Sequence, residues 1–401
     1  MTGREVWVTG IGAVSAAGLG ASALGGLLSR AASGVRRLGD LGGLPAARTP
    51  TPAGGKLGKR LDRSALMMFA AGEEAWRDAA LDEAGLDPRR CAIIEGSSLG
   101  PLAAILTEQA DRLGGARHPA HPASRIVRFM TGAGGAALAQ AHGLRGPVFH
   151  LSAGSVSAAC AIGEGFQRVA AGLADVVIAG GAECPLHPDI LDSFAAAGLL
   201  APPHEEGSDC RPFDARRNGT VLGEGAGALI LESADHARRR GALPRALLSG
   251  FGLSCEAYSM TAPEPAGGGI VDAVTQALDG TNGEIGWIKA HGTGTRVNDA
   301  AECRGLATLF GPDLPGMPIT SLKPALGHAL GASGAVEMVG AILALEGGFI
   351  PATFGTAEID RELPCCTVVT SPQSSAARRI LVLAESFGGR CAALVLDAGH
   401  R

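Results

Sequence analysis

Four residues of this 401-residue chain have types and surroundings that could do chemistry: Ser155, His291, Lys323 and His328. Ser155 follows a short apolar run, Gly146 to Gly154, that ends in small residues. It precedes Val156, Ala159, Cys160, Gly163, Phe166, Val169 and Ala170 at helical spacing, so the pattern predicts a buried strand, a turn and a helix over 155–172 opened by Ser155. The next apolar run, Asp175 to Gly181, reads as another buried strand. A strand-helix-strand unit puts Ser155 at the carboxyl edge of a sheet, where α/β proteins place their chemistry. At that helix end a thiol would ionise readily, because exposed N–H groups favour an anion. A hydroxyl gains far less from the same field, and a serine there also serves as a plain helix cap.

The two histidines lie in glycine-rich, hydroxyl-rich stretches. Lys289-Ala-His291-Gly-Thr-Gly-Thr295 follows a predicted strand, and small residues after the histidine let a ligand reach its ring. Lys323-Pro-Ala-Leu-Gly-His328-Ala-Leu-Gly-Ala-Ser-Gly334 sets the second histidine five residues after a lysine, ahead of a helix near Ala335. Either imidazole alone could be a structural group in a glycine-rich loop. Two other motifs are weaker. Gly10-Ile-Gly12 after the first strand lacks the third glycine and the acidic residue of a dinucleotide site, and reads as a tight strand-to-helix turn. Ala153-Gly-Ser155-Val-Ser157 is not the G-x-S-x-G elbow of α/β hydrolases. His291, Asp299 and Glu302 are near in sequence but show no metal-ligand geometry, so no metal is expected.

The elements that must position these residues alternate. Strand-like runs at Val6–Thr9, Val177–Ala179, Ala228–Leu231, Gly286–Lys289 and Ile380–Leu383 are separated by amphipathic stretches near 64–82, 155–172, 268–279, 299–310 and 333–346. This is an α/β chain. Residues 233–248, with Arg238-Arg239-Arg240 and Pro244, read as the hinge between parts 1–240 and 241–401, and no sequence repeat is visible. With 46% hydrophobic and 18% charged residues, the chain has ample core. The 61 glycines and 4% aromatics suggest close helix-to-sheet packing. A net charge of −5 argues against nucleic acid as a partner. No apolar stretch of membrane-spanning length is expected. The start passes directly into a strand, which predicts no secretory leader, and nine cysteines without CxxC spacing suit a reducing cytoplasm.

Ordered motifs along nearly the whole length carry a resemblance. They are Val8-Thr-Gly-Ile-Gly-Ala-Val-Ser15, Gly143-Leu-Arg-Gly-Pro147, Ala179-Gly-Gly-Ala-Glu183, Arg211-Pro-Phe-Asp214, Val221-Leu-Gly-Glu-Gly-Ala-Gly227, the two histidine stretches and Ser386-Phe-Gly-Gly389. Together they resemble the elongating β-ketoacyl-acyl carrier protein synthases of the thiolase-like fold. That resemblance implies a layered α/β/α/β/α architecture with two similar halves, a dimer as the working unit, and no cofactor. It also implies a Cys, His, His triad in which the cysteine takes an acyl chain from carrier protein and the histidines hold a malonyl thioester as it loses carbon dioxide. Ser155 occupies the cysteine's place, His291 and His328 match the histidines, and Lys323 matches the lysine that orients the second. Cys160 lies five residues into the helix and reads as core. Two imidazole donors can still stabilise an enolate. An unactivated alcohol is a poor substitute for a thiolate in chain loading.

Other departures fall at the gate. Where the family pattern reads SFGFGGTN, this chain reads Glu385-Ser-Phe387-Gly-Gly-Arg390-Cys391, and the Asp-Gly-Phe turn after the RPFD motif reads Asn218-Gly-Thr220. Phe387 and Thr220 therefore stand at gate positions whose loops open for the second substrate. These losses resemble a chain-length factor, the partner of an active ketosynthase in type II polyketide systems. Three readings follow: a non-catalytic chain-length factor in a heterodimer with a cysteine-bearing ketosynthase; a condensing or malonyl-decarboxylating 3-oxoacyl synthase, with a homodimer as the alternative assembly; or a ketosynthase whose cysteine has been engineered to serine. The basic segment with Lys59, Arg60 and Arg63 resembles the family's docking patch for acidic acyl carrier protein.

Overall fold

The computed structural model describes residues 3–82, 84–114, 122–203, 210–364 and 367–399. Ten strands build its main sheet: β1 Val6–Ser15, β2 Cys91–Gly96, β3 Val148–Leu151, β4 Val176–Glu183, β5 Gly225–Ser233, β6 Ala246–Cys255, β7 Trp287–Lys289, β8 Ile319–Thr320, β9 Arg379–Ser386 and β10 Arg390–Ala398. A short strand, Gly18–Leu19, hairpins onto β1. The order across the sheet is β8-β7-β9-β10-β6-β1-β5-β4-β2-β3.

That order contains an internal duplication. Counted within each half, both read third, second, fourth, fifth, first. The second strand of each half is parallel to its third and fourth (β2 with β3 and β4; β7 with β8 and β9), whereas the fourth-fifth and fifth-first pairs are antiparallel. The halves join where Val6–Val8 of β1 pair with Ala246–Leu248 of β6. Two similar halves are present in the topology although no repeat is visible in the sequence.

Among the helices that complete the layers are α1 Arg63–Asp78, α2 Ser157–Ala170, α3 Gly268–Leu278, α4 Arg296–Phe310 and α5 Ser333–Gly347. The equivalent helices α2 and α5 pack on each other and on strands of both halves, forming the middle layer. α1 covers β1, β4 and β5 from outside, and α3 covers β6 and β10, with α4 packed against α3. A middle-layer helix must be apolar all round. Accordingly Ser333 to Ile342 of α5 are buried without interruption. The stretch Leu330–Gly347 does reach membrane-spanning length with mean hydropathy 1.3, contrary to the sequence expectation; 78% of it is buried between the sheet halves, which makes it a core helix.

Glycines set the outer spacing. A Cβ on Gly10 or Gly12 of β1 would lie 2.2 Å from the Ala75 carbonyl oxygen or 2.0 Å from that of Ala71 in α1. In the second half, a Cβ on Gly250 or Gly252 of β6 would lie 1.9 Å from the Ala277 or Ala273 oxygen of α3. The Gly10-Ile-Gly12 motif is thus no strand-to-helix turn. It sits inside a fully buried strand and lets a helix backbone approach.

Gly12→Ala should therefore cost about 3 kcal/mol or more, because backbone rather than a flexible side chain blocks the added methyl. Gly39→Ala, with open space around it, should stay within about 0.5 kcal/mol. Thermal or denaturant unfolding of the two variants checks the contrast.

Candidate active site

The duplication explains why the chemical residues meet. Ser155 follows β3 and precedes α2; Lys323 and His328 follow β8, the equivalent strand, and precede α5; His291 follows β7. Three carboxyl ends of parallel strands converge where the middle helices begin. The helix starts at Ser157, two residues later than the periodicity suggests, and β3 is an edge strand with Val148 and Phe149 exposed rather than a buried one. Gly154, at φ 66°, makes the turn in a conformation that a side chain would strain. Ser157 Oγ then fastens it, donating to the Gly154 carbonyl (2.6 Å) and accepting from the Ala153 N–H (2.9 Å).

Ser155 Oγ lies 3.2 Å from His328 Nε2. The opposite ring nitrogen, Nδ1, lies 3.0 Å from Ser333 Oγ at the start of α5. Ser333 is a partner that the sequence reading missed; its signal was a hydroxyl at a helix start five residues after a histidine. The Ser155 backbone N–H donates to Ser386 Oγ at 2.8 Å. A backbone N–H at the nucleophile position is the type of donor that stabilises an acyl oxyanion, and this one is already engaged.

Lys323 is not the orienting group of His328. Its Nζ donates to His291 Nδ1 (3.2 Å), the His291 carbonyl (2.6 Å) and Glu337 Oε1 (2.8 Å). The short helix Lys323–Leu326 follows β8, the parallel neighbour of β7, so that Lys323 reaches His291, and Gly327, at φ 70°, turns the chain into His328. An ammonium only donates, so His291 Nδ1 accepts and its proton sits on Nε2. Glu337 Oε2 takes a second buried ammonium, Lys289, which also donates to the Leu383 carbonyl at 2.6 Å. The two imidazoles meet edge to face, 5.4 Å between centroids at 83°.

Burial, reinforced by Lys323 and Lys289, holds both histidines well below their ordinary pKa and keeps them neutral. Burial resists charge on Glu337 too, but its two lysines prevail and keep it ionised. Glu302 and Asp299 of α4 are spent on backbone. Glu302 accepts the His291 and Gly292 N–H groups (2.6 and 2.8 Å), and Asp299 accepts those of Phe213, Thr293 and Gly294 (2.9, 3.1 and 3.2 Å). Burial pushes Glu302 up to about 7.

Ser155, His291, His328, Phe387 and Thr220 share one cavity of 380 Å³, whose wall is mostly apolar and includes Phe194, Leu199 and Met260. Phe387 is 45% exposed and Thr220 is buried. Cys160 is buried in the core, its thiol pushed up to about 11 by burial. Lys59 and Arg60 are exposed on the surface. Arg63 departs from the docking patch: it turns inward to pair with buried Glu224 and to bond Thr51 Oγ1 (3.1 Å).

Family models match both parts of the chain. Residues 3–237 match the beta-ketoacyl synthase N-terminal domain, and 245–357 match its C-terminal domain. The chain belongs to the β-ketoacyl synthase family. A putative polyketide beta-ketoacyl synthase 1 of Streptomyces halstedii is 32% identical over 99% of both chains. Nodulation protein E of Rhizobium meliloti is 34% identical over 98% of both. Among solved structures, the ishigamide ketosynthase/chain length factor superposes with a TM-score of 0.89 at 30% identity over 99% of each chain. A type II polyketide synthase acyl-carrier protein in complex with its ketosynthase gives 0.90 at 27% identity, covering 99% of this chain and 100% of that one.

This member of the β-ketoacyl synthase family thus keeps two neutral imidazoles on its cavity wall beside a serine. Carbon and nitrogen NMR of the histidine rings, assigned through His291→Asn and His328→Asn, should show both rings still neutral at pH 6.0. Titration of either near 6.5 would contradict the buried, lysine-backed site.

Proposed function

We propose that this chain is the chain-length-factor type of subunit. It pairs with a cysteine-bearing ketosynthase and contributes its cavity to acyl-chain selection during decarboxylative elongation on acyl carrier protein, in the cytoplasm. The observation that carries this reading is the state of the nucleophile position: a hydroxyl stands there, and its N–H is tied to Ser386 Oγ. Loading needs both a strong nucleophile and a free oxyanion donor. Here each is compromised.

The outer edge of β3 supports a pairing surface. It ends the sheet among the described residues and exposes Val148 and Phe149 at 40% and 41%. An open strand edge with exposed apolar side chains is a template for pairing with another chain. Similar proteins have been solved as such complexes, including a ketosynthase with its chain length factor from Xenorhabdus doucetiae, at a TM-score of 0.86 and 27% identity over 98% of each chain. Lys59 and Arg60 remain as a docking surface for acyl carrier protein, with most of that contact made by the partner subunit.

A second reading has its own observation. The 3.2 Å approach of neutral His328 to Ser155 Oγ sets a base beside the hydroxyl, as a serine-loaded condensing enzyme would require. With His291 it could also stabilise the enolate of a decarboxylating malonyl thioester.

Intact mass of the purified chain after incubation with acyl-loaded carrier protein separates the two. The partner reading expects no adduct on Ser155 by peptide mapping, and elongation only after a cysteine-bearing ketosynthase is added. An acyl group on Ser155 would overturn it in favour of the serine-dependent enzyme.

A further inference from the structure

The cavity contains a carboxyl group that none of the chemistry above uses. Glu385 lies near the end of β9, on the face of Leu381 and Leu383, and lines the same cavity as Ser155, His291 and His328. It is 4% exposed, and its Oε1 has no hydrogen-bond partner. Arg390 of β10 lines the same cavity, but its guanidinium donates to the Phe387 carbonyl at 3.2 Å and makes no hydrogen bond to Glu385. Lys289 is held by Glu337 and the Leu383 carbonyl, and Lys323 by Glu337 and by two atoms of His291. Facing it are Cys391, its register partner on β10, and Glu256, whose Oε2 is held by the Glu264 N–H at 2.8 Å. Glu302 and Asp299 add negative charge from α4. Burial, reinforced by those three acidic groups, raises Glu385 well above the ordinary range and so favours its neutral form, with an O–H and a carbonyl oxygen.

A buried, unpartnered carboxyl costs free energy unless something completes its hydrogen bonds. The rest of that wall is largely apolar and suits an acyl chain. We propose that Glu385 is a specificity residue of the acyl cavity, hydrogen-bonding a ketone or hydroxyl oxygen of the bound chain and so favouring oxygen-bearing chains over saturated ones. This rests on the reading of the cavity as an acyl-chain site. It does not depend on whether Ser155 is ever loaded, because the group acts on a bound chain. A site built to hydrogen-bond a substrate oxygen discriminates against the analogue that lacks it, since the protein group is then left unpaired.

The test is calorimetric binding of two non-hydrolysable acyl-pantetheine amides of equal length, one 3-oxo and one saturated, to the full chain. Wild type should bind the 3-oxo compound about five-fold more tightly, the scale of one net hydrogen bond. Glu385→Gln should keep the preference, because an amide also donates and accepts, and Glu385→Leu should lose or invert it. Equal affinities in wild type would overturn the proposal whether or not the leucine variant folds, as would a preference that survives in Glu385→Leu. Tighter binding of an amino-terminated chain than of either compound would make Glu385 a counter-ion and also overturn it. Binding of neither amide would sink the acyl-cavity reading itself, and this proposal with it.

Discussion

The site depends on one buried carboxylate. Glu337, on the middle-layer helix α5, holds Lys289 with one oxygen and Lys323 with the other, and all three are buried. Three charges in a dry interior are tolerable only while each has its partners, and removing one partner of such a set costs about 3–5 kcal/mol. The arrangement also fixes chemistry. Lys323 dictates which nitrogen of His291 accepts, and the two ammonium groups help keep both imidazoles uncharged. A helix that carried only apolar residues would fill the layer equally well, so Glu337 is explained by the site rather than by packing.

The second constraint is the duplication. Because β3–α2 and β8–α5 are equivalent units placed back to back in one middle layer, the start of α2 and the approach to α5 face the same cavity. One half delivers a hydroxyl, the other two histidines and a lysine. The glycines of β1 and β6 do for the outer layers what small residues do in the middle one, where a Cβ on Gly334 would lie 2.7 Å from the Ala159 nitrogen. Close backbone approach, rather than a dinucleotide-binding turn, explains the glycines of these strands and of α5.

Much of this was legible in the residues. Alternating strand and helix patterns gave the α/β class, and the local spacing put Ser155 and His291 after strands and His328 ahead of a helix. The partners were not legible. Ser386 reaches Ser155 across 231 residues and Glu337 reaches Lys289 across 48. Such contacts are set by strand order, which local periodicity does not encode. The same limit applies to Lys323, which the family resemblance paired with His328, whereas its ammonium bonds His291 and Glu337. Arg63 looked like one of a surface trio, but the first turn of α1 directs it at Glu224. Exposure of β3 was hidden for a related reason: an apolar run reads as buried whether its far edge meets the same chain or another.

The central claim is that Ser155 fails as an acyl acceptor for two separable reasons, its hydroxyl and the capture of its N–H by Ser386. The most direct measurement is the rate of acyl transfer from acyl carrier protein to position 155 in Ser155→Cys alone and in Ser155→Cys combined with Ser386→Ala, followed by intact mass. If the N–H is closed off as described, the double variant should load faster, by about 10²-fold where one oxyanion donor is regained. Equal rates in the two variants would show that Ser386 does not restrain the site, and would contradict the account.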